Sequence, residues 1–227
     1  MHALCQAVIV GLLLGATPVV SQVDPFAPVR DDPRLLRVLL IGDSISIGYT
    51  VPVRSLLAGK ANVHRVPDNC QSTVYALEHI KEWLGDGKWD VIHFNWGIWD
   101  AHHMEDGSLR TTPEQYEKNL RQLVAILKAT PAKLIWATTT PVDTPLPHTG
   151  LWVSSRDIIA HGAVARRVMR ENKIPIDDLF ADVLPRVGEL RAEDGCHYTP
   201  EGCEFLAARV AKSISKELAA PKPSRRG

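Results

Sequence analysis

Short apolar runs alternate along this chain with stretches in which apolar positions recur every three or four residues. The runs are Leu35–Ile41, a weaker one at Ala61–Val66, then Trp89–Phe94, Lys133–Thr138 and Ile174–Leu179. Strand-like runs separated by helical stretches predict a parallel sheet with helices on its faces. The helices carry start and stop signals of their own. Thr112-Pro113-Glu114-Gln115 combines an N-cap, a proline at the first helical position and a glutamine three residues after the cap, and Tyr116, Leu120, Leu123, Val124 and Leu127 then line one face. Val74, Leu77, Ile80 and Leu84 mark a second helix closed by Gly85. Leu206, Val210, Ile214 and Leu218 mark the last, opened by Thr199-Pro200.

The ends of the chain depart from this pattern. Ala7 to Ala16, with Val8-Ile9-Val10-Gly11-Leu12-Leu13-Leu14, is too short to span a bilayer but suits the apolar segment of a signal peptide. Residues 1–21 are therefore expected to be a leader, and the mature chain to be secreted or periplasmic with no integral membrane span. A strand or helix added at the domain edge is the alternative. Residues 22–34, rich in proline and charge, form an extended lead-in; 35–220 form one domain; 221–227 form a basic, solvated tail.

At 227 residues the chain is ample for one domain and short for two. A hydrophobic fraction of 45% and a charged fraction of 23% are those of a globular protein. The formal net charge of zero gives no electrostatic case for a nucleic-acid partner or an anionic membrane surface.

Chemistry enters at the end of the first run. Ile41-Gly42-Asp43-Ser44 places a serine hydroxyl where a buried strand stops. Far downstream, Asp194-Gly195-Cys196-His197 brings a carboxylate and an imidazole within one turn of each other. A serine hydroxyl is a poor nucleophile at neutral pH; it needs a base within hydrogen-bond reach, and the base needs a third group to fix its tautomer. Either fragment alone is ordinary loop material. Together, and each following a predicted strand, they supply nucleophile, base and orienter.

These blocks resemble the SGNH (GDSL-like) hydrolases. The first family block is matched by Gly42-Asp43-Ser44-Ile45-Ser46-Ile47-Gly48, and the last by Asp194-Gly195-Cys196-His197. The resemblance runs from about Leu35 to Leu218. It implies a flavodoxin-like three-layer α/β/α sandwich with a parallel five-stranded sheet, ester hydrolysis by Ser44, His197 and Asp194, and no metal or other cofactor. The middle blocks depart from the family pattern. Where the second block normally offers a glycine N–H to the oxyanion, this chain has Pro67-Asp68-Asn69-Cys70-Gln71-Ser72-Thr73. The third, normally Gly-x-Asn-Asp, reads Gly97-Ile98-Trp99-Asp100, with tryptophan in the place of the donor asparagine. Losing one such donor typically costs about 2.7–4 kcal/mol of transition-state stabilisation. Substitutes open to the chain are Asn95, the Trp99 indole N–H, and the backbone around Asn69, Cys70 and Gln71. Asp43 either orients the Ser44 loop or caps the following helix.

In a sheet of this kind, ligands bind beyond the carboxyl ends of the strands. Ser44, Asn69, Asn95 and Thr138-Thr139-Thr140 all follow strands and should share that edge with Asp194 and His197. The proline-rich segment Pro141–His148 leaves the same edge, either as a wall or lid or as a connection only. Trp96, Trp99 and His102 either line the pocket or fill the core. Adjacent His102 and His103 lack metal spacing. Removal of the leader leaves Cys70, Cys196 and Cys203; the first two flank the presumed site, and either a bridge between them braces it or they are small buried residues. The implied activity is hydrolysis of a short acyl ester, such as an O-acetyl group on a polysaccharide. A lysophospholipid or other lipid ester, acyl transfer to a second sugar, and carbohydrate binding without turnover are the rivals.

Overall fold

A computed structural model describes residues 24–142, 144–145 and 152–220. The expected leader, the basic tail and half of the proline-rich segment lie outside the described residues. Strands β1 (Leu36–Ile41), β2 (Ala61–Arg65), β3 (Val91–Phe94) and β4 (Lys133–Ala137) fall on the first four apolar runs. An antiparallel pair of two-residue strands follows, β5 (Thr144–Pro145) with β6 (Trp152–Val153), then β7 (Ile176–Asp177). The last strand is shorter than its apolar run because Asp178 leaves the ladder, and its side chain accepts the N–H of Ala181 to start the next helix. Five strands form one parallel sheet in the order β2-β1-β3-β4-β7. The order reverses between β1 and β3, and this places the ligand-binding crevice of such sheets beyond their carboxyl ends.

The helices are α1 (Ser44–Leu56), α2 (Thr73–Leu84), α3 (Pro113–Lys128), α4 (Ser155–Glu171), the short α5 (Leu179–Val183) and α6 (Val187–Leu190), and α7 (Pro200–Ala219). Residues alternate across each strand, so every strand feeds both faces. Val38 and Leu40 of β1 pack with Tyr49, Val53, Val210 and Ile214 under α1 and α7. Leu39 and Ile41 pack with Ile80, Leu120, Leu123 and Val168 under α2, α3 and α4. The three-layer arrangement follows.

Two helices differ from their sequence patterns. In α2 the inward residues are Thr73, Ala76, Ile80, Trp83 and Leu84, while Val74 is exposed. Both Asp100 carboxylate oxygens accept the Thr73 N–H, at 3.1 and 3.0 Å, and that tether turns the first turn so that Val74 faces outward. In α3 the cap is half of a capping box: Thr112 Oγ1 accepts from Gln115 N at 3.3 Å, but the Gln115 side chain donates to Asn119 Oδ1 instead of reaching back. Helix α4 was not anticipated, although Ser154 and Asp157 mark its start: Ser154 Oγ accepts the Asp157 N–H at 3.1 Å. Among the described residues, no helix is long and apolar enough to cross a membrane.

Candidate active site

Three segments converge beyond the end of β1. Gly42 and Asp43 turn the chain from β1 into α1, and Ser44 is the first residue of that helix. A side chain at position 42 would place its Cβ 2.9 Å from Ser46 Oγ, so the turn is tight enough to require glycine. Asp43 is the N-cap; its Oδ1 accepts the Ile45 N–H at 3.1 Å, and the Ser44 N–H, at the positive end of the helix, has no acceptor among the described residues. Burial raises the Asp43 carboxyl above its ordinary range against the lowering effects of its hydrogen bond from Ile45, of Arg65 and of His197.

The loop before α7 brings the other two groups. Gly195 takes φ +76°, open to glycine, and curls the loop so that Asp194 Oδ1 accepts the N–H groups of Cys196 at 2.9 Å and His197 at 2.8 Å. Asp194 Oδ2 lies 2.6 Å from His197 Nδ1, and His197 Nε2 lies 2.8 Å from Ser44 Oγ. An ionised carboxylate only accepts, so Nδ1 carries the imidazole proton and the Nε2 lone pair faces the serine hydroxyl. Burial pushes the Asp194 carboxyl up, but the N–H groups of Cys196 and His197 and the imidazole outweigh it and hold the group below its ordinary range.

The expected oxyanion residues separate into two groups. Gln71 is at φ +42°, the left-handed region that glycine favours, and only Lys173 shares a positive φ among the described non-glycine residues. Its N–H has no acceptor among the described residues. Cys70 N–H donates to Gly42 O at 3.3 Å and thereby ties this loop to the serine turn; Asn69 is half-buried, with Oδ1 unpartnered. Asn95, by contrast, turns its amide toward the end of β4, where Nδ2 donates to Ala137 O at 2.8 Å and Thr139 Oγ1 at 3.2 Å. Both of its N–H groups are occupied there. Gly97 is held against Thr139, whose Oγ1 would lie 2.1 Å from an added Cβ. The half-buried Trp99 ring carries the Arg110 guanidinium 5.1 Å from its centroid and His102 at 5.2 Å.

The structure decides several points that the sequence leaves open. Trp96 is fully buried in the core under α3 and its carbonyl accepts the Tyr116 hydroxyl at 2.7 Å, so it cannot line a pocket. His102 is buried with neither ring nitrogen partnered. The neighbouring His103 faces another way, bonding Asp157 Oδ2 at 2.8 Å through Nε2 and Gly107 O at 3.0 Å through Nδ1. No group of three or more His, Cys, Asp or Glu among the described residues is placed to hold a metal ion. Cys70, Cys196 and Cys203 are all free thiols, so of the two readings open to Cys70 and Cys196 it is the buried, unbridged one that holds. Burial pushes the thiols of Cys70 and Cys196 up to about 12, and such thiols are inert.

Two features of the site were not foreseen. Asp100, wholly buried, accepts from Thr73 Oγ1 at 2.5 Å as well as from its N–H, and Asn119 Nδ2 donates to that same hydroxyl at 3.1 Å. Burial raises the Asp100 carboxyl to about 6. The third block is thus fastened to the start of α2 at Thr73, two residues after Gln71. The other is Arg65, which ends the mixed strand Ala61-Asn62-Val63-His64-Arg65; its polar neighbours hide it in the sequence, and only the fold shows that it is buried.

The architecture is that of the SGNH hydrolases. A lipase/acylhydrolase from Enterococcus faecalis superposes with a TM-score of 0.69 at 21% identity, covering 83% of this chain and 100% of that one. An acetyl xylan esterase superposes with a TM-score of 0.67 at 18% identity, over 79% and 100% of the two chains. An acetylxylan esterase from Geobacillus stearothermophilus gives 0.63 at 18% identity, over 84% and 97%. No family model and no curated protein matches the sequence.

Proposed function

We propose that this chain is an exported serine esterase that removes short acyl groups, such as O-acetyl, from a carbohydrate. The observation that carries this is the continuous path from Ser44 Oγ through the His197 ring to Asp194 Oδ2, with steps of 2.8 and 2.6 Å. Ser44 Oγ attacks the ester carbonyl carbon while His197 Nε2 takes its proton. The tetrahedral oxyanion sits on the Ser44 N–H and the Gln71 N–H, the latter presented by a backbone conformation that a glycine would otherwise supply. Holding a glutamine there costs on the order of 1 kcal/mol, a strain of the kind found at functional sites. The intermediate collapses as His197 returns the proton to the departing alcohol. Water, activated by the same nitrogen, then releases the acid. Asn95 supports the end of β4 instead of binding the oxyanion.

The acetyl preference is supported by the two acetylxylan esterases of the same fold, and export by the apolar leader pattern. The test is hydrolysis of p-nitrophenyl acetate by the mature chain beside its Ser44→Ala variant, with a chain-length series of nitrophenyl esters. Turnover that vanishes in the variant and falls with acyl length is expected. Carbohydrate binding with no turnover, unchanged by the substitution, would replace the proposal with a binding role.

A further inference from the structure

We infer that Arg65 is a positioning residue whose buried guanidinium clamps together the two loops that present the oxyanion donors; this rests on the esterase proposal for its catalytic meaning. Arg65 is the last residue of β2 and only 7% exposed. Its Nη1 donates to Ser46 Oγ at 2.5 Å. Its Nη2 donates to Gly42 O at 2.8 Å and Asp68 O at 3.0 Å, with a longer contact to Asp43 O at 3.5 Å. Ser46 Oγ passes the contact on, donating to Asp43 O at 2.8 Å. One planar cation therefore spans the serine turn on one side and the Asp68–Gln71 loop on the other. The Phe26 ring lies over it, 5.5 Å from the guanidinium carbon to the ring centroid.

The placement matters for two N–H groups. Asp43 O and Ser44 N–H belong to the same peptide unit, so positive charge on the carbonyl side polarises that unit and strengthens its N–H as a donor. The Gly42 carbonyl that Arg65 grips also accepts the Cys70 N–H, one residue before Gln71. Fixing that oxygen fixes the separation between the Ser44 and Gln71 donors. A lysine has a single donor centre and cannot hold both loops in one plane. Asp43, buried with one carboxylate oxygen unpartnered among the described residues, exerts an attraction on the cation that works against the cost of burying it.

Arg65→Met and Arg65→Lys separate positioning from plain support of the fold. In folded protein, Arg65→Met is expected to lower kcat for p-nitrophenyl acetate by about 100-fold with KM within about threefold, and Arg65→Lys to recover part of the loss. Independently of turnover, amide hydrogen exchange at Cys70 should quicken by about tenfold or more in either variant, while core amides of α3 hold their rates. Should Arg65→Met not fold, the lysine variant carries both readouts. Unchanged kcat together with unchanged Cys70 exchange would overturn the clamp. A wild-type protein without turnover would sink the esterase proposal, while the exchange data would still decide whether Arg65 ties the loops.

Discussion

Replacing Asp194 by asparagine should be more damaging than replacing it by alanine. Asp194 Oδ1 accepts two backbone N–H groups, from Cys196 and His197, and an asparagine must keep its carbonyl oxygen there to satisfy them. Its amide nitrogen is then forced into the place of Oδ2, 2.6 Å from His197 Nδ1. Two donors cannot share that contact, so the imidazole must give up its Nδ1 proton and carry it on Nε2, where it faces Ser44 Oγ as a donor. A base in that tautomer cannot accept the serine proton. The loss in kcat should be about 10³–10⁴-fold, or about 4–5.5 kcal/mol of barrier. Alanine removes the orienting group but leaves both tautomers open, so it should retain roughly tenfold more activity than asparagine. Steady-state hydrolysis of p-nitrophenyl acetate gives the rates, and nitrogen NMR of the imidazole reports the tautomer. Asparagine as active as alanine, or an Nδ1-protonated ring in the asparagine variant, would refute the reasoning.

Other outcomes follow from the same geometry. Gly97→Ala drives a methyl into Thr139 Oγ1 and lies 3.1 Å from its Cβ, so rotation of the threonine cannot clear it; a cost of about 1–3 kcal/mol in urea unfolding is expected, and the Gly97→Ala/Thr139→Ala pair should cost less than the sum of its members. Additive costs would contradict the contact. Gln71→Gly should keep kcat and gain stability by a few tenths to about 1 kcal/mol, whereas Gln71→Pro, which removes the N–H and forbids a positive φ, should lower kcat about 100-fold; equal rates would remove Gln71 from the oxyanion site. Burial, helped by Arg110, depresses His102 to about 4, so its contribution to stability is complete above the unfolded value near 6.5 and is lost as pH falls through the folded one. Stability of wild type relative to His102→Phe should therefore fall by up to about 3 kcal/mol between pH 7 and pH 3, and a flat difference in melting curves would disprove the assignment.

The sheet was legible because its signals are local. Apolar runs such as Leu36–Ile41 and the Thr112-Pro113 and Thr199-Pro200 starts depend on neighbouring residues alone. The two segments that the proposal makes catalytic were visible for a related reason: Gly42-Asp43-Ser44 and Asp194-Gly195-Cys196-His197 each carry their own turn. What the sequence could not show was where a side chain spends its hydrogen bonds. Asn95 follows a strand as an oxyanion donor would, yet its amide is drawn off by Ala137 and Thr139, which lie more than forty residues later. Gln71 gave no sign of a glycine-like backbone because that conformation is imposed from outside, by the Asp100 tether on Thr73 and the Cys70 bond to Gly42. Cys70 and Cys196 illustrate the same limit, since nearness to one site along two loops does not bring their sulfurs together.

The most direct test of the central claim is covalent capture. The mature protein is treated with a fluorophosphonate, and the adduct is located by intact mass and peptide mapping. One phosphonyl group on Ser44, formed at a rate that collapses in His197→Ala and absent from Ser44→Ala, is the predicted result. An unlabelled wild-type protein, or label on another residue that persists in Ser44→Ala, would contradict the account.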